Sequence, residues 1–83
     1  MGICSYCGSS WKTEDEHIIA RSKGGKRTIP ACQTCNRSKG DKQLMTWLRW
    51  VKRNDLHRWR RIINHHKGKR SDIAVKVRKI RDE

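Results

Sequence analysis

The chain is 83 residues long and 34 % apolar, with 21 Lys and Arg against 8 Asp and Glu for a formal net charge of +13. That length predicts one domain, residues 1–83, whose core supplies only a few kcal/mol unless something staples it, and the charge favours a polyanionic partner over a small neutral substrate. No apolar run approaches the ~20 residues of a membrane span, the N-terminus lacks the apolar stretch of a signal peptide, and Tyr6 stands where a myristoylation signal wants Ser or Thr, so the expected compartment is a reducing cytoplasm.

Cys4 and Cys7 form one CxxC pair, and Cys32 and Cys35 a second. In a reduced, basic, intracellular chain two such pairs read as one tetrahedral structural zinc site, the alternatives being two disulfides or free thiol pairs. The 24 residues between the pairs exceed the ~15–20 of a simple zinc ribbon, which points to a functional insert between the knuckles. Within it, residues 17–20 with Ile18 and Ile19 and residues 28–30 read as short extended pieces around a loop at residues 22–26 that carries Gly24 and Gly25. Residues 32–39 then start a helix with Thr34 as N-cap, ending at Gly40. The expected fold is small α+β: a zinc-stapled ββα unit over residues 4–42, followed by about three helices.

Those helices are predicted from apolar spacing. Leu44, Trp47, Leu48 and Val51 follow one helical stripe, so residues 41–53 read as an amphipathic helix capped by Asp41. Asn54 or Asp55 caps a second, with Leu56, Trp59, Ile62 and Ile63 on its apolar side and Gly68 at its end; Ser71 caps a third that carries Ile73, Ala74, Val77 and Ile80. Trp50 lies off its stripe, at the surface or facing a partner. Residues 41–83 hold 14 basic and 5 acidic residues. The dense runs are candidate phosphate contacts, giving a candidate DNA-binding set of Lys23, Lys26, Arg37, Lys39, Arg58, Arg60, Arg61, Lys67, Lys69 and Arg70. His57, His65 and His66 lack carboxylate neighbours and read as surface or phosphate contacts.

One stretch carries more than this. A CxxC, an acidic residue before His17, Ile-Ile, Arg-Ser-Lys-Gly-Gly and then Pro-Ala-Cys-Gln-Thr-Cys-Asn-Arg-Ser-Lys-Gly-Asp closely resembles the HNH endonucleases, whose fold is the ββα-metal finger. The resemblance spans about residues 4–42. It implies hydrolysis of phosphodiester bonds with one divalent cation, Mg²⁺ or Mn²⁺, leaving 5′-phosphate and 3′-hydroxyl ends. Carried over by position, His17 matches the general base, Glu16 the first ligand of the catalytic metal and Asn36 the second. Glu16 stands where the family usually has Asp, which lengthens the arm and keeps the carboxylate. Arg27, with Thr28 beside it, stands at the middle Asn that helps fix the loop carrying the base, and Ala20 replaces a Pro.

The residues support the same centre on their own chemistry. A neutral imidazole can take a proton from a water attacking phosphorus, and His17 suits that role. Glu14, Asp15 and Glu16 are the only acidic run in the front half, and a carboxylate in a basic field is what a hard cation requires. Glu16 is assigned to it, with Asn36 supplying a second oxygen; Glu14 and Asp15 read as a solvated turn. The expected function is therefore a metal-dependent HNH endonuclease acting on DNA, double-stranded by preference. The alternatives are a zinc-knuckle module that binds DNA or RNA without chemistry, and a basic structural protein whose Trp-bearing helices form an interface. Loss of plasmid nicking on adding EDTA separates the first from the others.

Overall fold

The computed structural model describes residues 2–17 and 28–83, with the backbone alone at residues 16 and 17. Strands β1 (Thr13–His17) and β2 (Thr28–Cys32) pair antiparallel, with Thr13 opposite Cys32 and His17 opposite Thr28. The acidic run is thus a strand, not a turn, and the first extended piece begins at Thr13 instead of His17. Residues 18–20 and the Gly-Gly loop lie outside the described residues. Acidic side chains are poor strand formers, so local propensity is overridden from outside the segment. Lys12, with a left-handed φ of 46°, swings the chain out of the first knuckle, and its carbonyl accepts the Gln33 N–H at 2.9 Å. The ladder therefore starts at the second knuckle and draws the next five residues into register. Ser5 N–H donates to the Pro30 carbonyl at 2.8 Å, so the first knuckle hangs on β2 as well.

Helix α1 (Gln33–Lys39) follows β2 without a loop. Its N-cap is Cys32, which makes no side-chain capping bond. Thr34, the expected cap, sits inside the first turn with its hydroxyl 3.3 Å from Cys32 Sγ. The residue that ends the strand also opens the helix, and it is committed to the metal cradle. Gly40 closes α1 as expected, at φ 53° with its N–H on the Asn36 carbonyl at 2.9 Å. The turn that follows consumes Asp41 and Lys42, so α2 (Leu44–Asn54) begins three residues later than its spacing suggests, with Gln43 as an N-cap that makes no side-chain bond.

The α2 stripe is core as expected: Leu44, Trp47, Leu48 and Val51 are all buried. Asp55 caps α3 (Leu56–His66), accepting from Arg58 N–H at 3.2 Å, and Ser71 caps α4 (Asp72–Arg81), accepting from Ala74 N–H at 3.2 Å. Leu56 departs from its stripe and is exposed, whereas Trp59 and Ile62 are buried; at the first helical position it projects past the end of the packed face. Trp50 is exposed. Helices α2, α3 and α4 pack on one another, and α1 packs on the sheet.

Trp47 ties the two parts together. Its indole N–H donates to Ser38 Oγ on α1 at 3.0 Å, and its ring meets Tyr6 of the first knuckle edge-on at 5.0 Å between centroids. A single buried cluster accordingly runs from Cys4 through Trp47 to Ile80. At the far side Lys52 Nζ donates to the carbonyls of Ile80, Arg81 and Glu83 at 2.8–3.1 Å, using the three donors of an ammonium to satisfy the C-terminal end of α4. Among the described residues no helix is long and apolar enough to cross a membrane.

Candidate metal centre and cleavage site

The four cysteines converge. Cys4, Cys7, Cys32 and Cys35 are buried, unbridged, and have all their sulfurs within 4.8 Å of one another, with Cys7 and Cys32 at 3.6 Å. Four sulfurs about 2.3 Å from one tetrahedral ion stand about 3.8 Å apart, so the cradle fits zinc. Each pair bends into a knuckle for a local reason. In the first, Tyr6 and Cys7 N–H groups point at Cys4 Sγ at 3.4 and 3.5 Å, and Gly8 turns the chain at φ 79°. In the second, the onset of α1 presents Cys32 and Cys35 three residues apart on one side.

Without a metal, the surroundings favour a thiolate at Cys4 and neutral thiols at Cys7 and Cys35. A hydrogen bond from Cys35 holds Cys4 down to about 4, helped by main-chain donors against its burial; the same bond and burial push Cys35 up, and burial pushes Cys7 up. Sharing one proton-poor sulfur among buried thiols is a setting that a divalent ion resolves by binding all four as thiolates.

Beyond the cradle lies the acidic strand. Asn36, in the middle of α1, donates its Nδ2 to Glu14 Oε1 at 3.1 Å, bringing helix and strand together across the expected catalytic face. Ionised carboxylates only accept hydrogen bonds, so Glu14 orients the Asn36 amide and turns its Oδ1 away. Glu16 stands opposite Ile29 and His17 opposite Thr28 in the ladder. Gly2, Thr13, Glu14, Asp15 and Pro30 line an open hollow of about 450 Å³ beside this strand.

The family model described as HNH endonuclease matches residues 4–46, half of the chain. The chain belongs to the HNH endonuclease family. Comparison with curated proteins and with solved structures found no match. Membership makes nucleic acid the class of substrate, and the matched span contains both knuckles, β1, β2 and α1.

Two of the basic residues expected on the nucleic-acid face of this HNH chain are turned elsewhere. Lys39 is buried. Arg58 is 11 % exposed at its side chain and bonds inward to Cys35 and Asp55. Arg37, Arg60, Arg61, Lys67, Lys69 and Arg70 are exposed; Lys23 and Lys26 lie outside the described residues. His57 is exposed, but His66 is buried, which corrects its reading as a surface contact. Burial pushes the His66 imidazole pKa down, and His65 and Lys69 add to it against the main chain of Ser5 and Tyr6. His65 packs on Gly8 so closely that a Cβ there would stand 2.7 Å from its Nδ1.

Three contributors escaped the sequence reading: Glu14 as partner of Asn36, Arg58 as partner of Cys35, and the His65–His66 pair against the first knuckle. A period-two reading of the acidic run, which puts Glu14 and Glu16 on one face, would have found the first. No local signal marks the other two, because each is a contact between segments far apart in the chain.

Proposed function

We propose that this protein is a metal-dependent endonuclease that hydrolyses DNA phosphodiester bonds, preferentially in duplexes, with His17 as general base and Glu16 and Asn36 as ligands of a Mg²⁺ or Mn²⁺ ion. The observation that carries the reading is the Asn36–Glu14 hydrogen bond, which joins α1 to the strand bearing Glu16 and His17. Glu16 stands two residues beyond Glu14 in the same strand. A carboxylate and an amide oxygen are the hard donors such a cation takes, and as a pair they leave room for water and phosphate oxygens. When bound, the cation supplies stabilisation of charge building on phosphorus and on the leaving oxygen. His17 receives the proton of the attacking water. Exposed Arg37, Arg60, Arg61, Lys67, Lys69 and Arg70 hold the backbone through phosphates, and the four cysteines hold one structural zinc.

The test is supercoiled plasmid with Mg²⁺ or Mn²⁺, with and without EDTA, using protein that retains its zinc. Nicking that requires added metal and disappears in His17→Ala is the expected result. Tight DNA binding with no cleavage under any divalent metal would make the protein a zinc-knuckle binding module instead.

A further inference from the structure

We propose that α3 completes the zinc centre, with Arg58 as the outer-sphere partner of the Cys35 thiolate, so that metal loading locks the helical extension onto the finger. The inference rests on the zinc reading and not on the assignment of the cleavage residues.

Four thiolates around a divalent ion form a buried dianion, and such a group needs hydrogen-bond donors or charge nearby. Two of the sulfurs find theirs within the finger: Cys4 from the N–H groups of Tyr6 and Cys7, and Cys32 from the Thr34 hydroxyl. Cys35 is met from outside. Arg58 Nη1 stands 2.9 Å from Cys35 Sγ and 3.4 Å from Thr34 Oγ1, while its Nε donates to Asp55 Oδ2 at 3.0 Å.

The position is otherwise a poor one for arginine. Arg58 lies in the first turn of α3, where the helix dipole disfavours a cation, and no acidic residue shares that turn. Its side chain gives up solvent to be there. Asp55 and the thiolate together account for the placement, since the planar fork of a guanidinium reaches both at once. Two turns further along the same helix, His65 closes on Gly8 of the other knuckle. One face of α3 therefore spans both halves of the cradle.

The decisive experiment measures zinc affinity by competition with a chromophoric chelator, and the thiolate-to-metal charge-transfer band after exchange into Co²⁺, neither of which depends on cleavage. Arg58→Met, which keeps the apolar stem, is expected to lose roughly 10–100-fold in zinc affinity and to shift the Co²⁺ band to longer wavelength, because a sulfur without its donor is more electron-rich. Arg58→Lys should recover part of both. Asp55→Asn keeps a good N-cap but removes the charge that holds the guanidinium, so a smaller loss is expected even if Arg58→Met fails to fold. Arg60→Met, an exposed neighbour on the same helix, is the control. Wild-type affinity and spectrum in Arg58→Lys and Asp55→Asn, or an equal loss in Arg60→Met, would overturn the proposal. A wild-type protein that folds without zinc would overturn the zinc reading itself, a different and distinguishable result.

Discussion

At the scale of single residues, the placement of Asn36 depends on a group two strand positions from the assigned ligand. Because Glu14 only accepts, it leaves the Asn36 amide one orientation; glutamine at that place would accept or donate and release the constraint. Glu14→Gln is therefore expected to slow cleavage about 10–100-fold, the usual cost of loosening a ligand's own support, with zinc content unchanged. Single-turnover nicking at several Mn²⁺ concentrations checks it: a wild-type rate at limiting metal would show that the amide needs no such hold. His17→Ala removes the proposed base and none of the four cysteines, so zinc, melting behaviour and DNA affinity should persist while the rate drops by roughly 10²–10⁴. An undiminished rate would send the search for a base to the exposed His57.

At the scale of elements, α2 is the joint between finger and extension. Its four-residue stripe is ordinary helical amphipathicity, and Trp47 also reaches Ser38 and Tyr6 on the other side. Trp47→Ala leaves a cavity beside the first knuckle and strands the Ser38 hydroxyl, for an expected loss of about 3–5 kcal/mol. That is a large part of the stability of any small domain. Trp50→Ala, one turn on and exposed, should stay within about 0.5 kcal/mol. Urea melts of the two zinc-loaded variants make the comparison, and equal midpoints would deny Trp47 its role. The helix starts show where sequence signals hold. Asp55 and Ser71 are caps in fact, Asp55 keeping one oxygen for the Arg58 N–H while the other takes the Arg58 guanidinium, whereas Thr34 and Asp41 lose theirs to the cradle and to the Gly40 turn.

At the scale of the whole molecule, the cradle and the three-helix core share one buried cluster. Stripping zinc with a strong chelator is therefore expected to unfold the helices along with the knuckles, in one transition, because binding free energy at such a site is folding free energy. Far-UV circular dichroism reads this directly; helices that survive chelation would mean the extension folds alone. The net charge of +13 predicts steep weakening of DNA binding with salt. Neutralising Arg60 and Arg61 together should lower the slope of log K against log salt by about one unit for each phosphate that the variant no longer neutralises. Arg58 must be left intact in that experiment, since removing it would disturb the zinc centre and confuse the two effects. An unaltered slope would place the phosphate track on another face.

Charge balance, the two CxxC pairs, the order of motifs between residues 4 and 46 and the apolar stripes of the helices are legible in the chain because each is a short-range pattern. They suffice for the family, the zinc cradle and a ββα unit followed by helices. What they miss is decided at longer range. The acidic run becomes a strand because Lys12 and Gln33 bond across the knuckles, against its own propensity. Arg58 faces a sulfur 23 positions back, and His66 is buried because α3 lies along the first knuckle. A residue's type states which bonds it can make; only the packed chain determines which partner reaches it first and whether water is still there to compete.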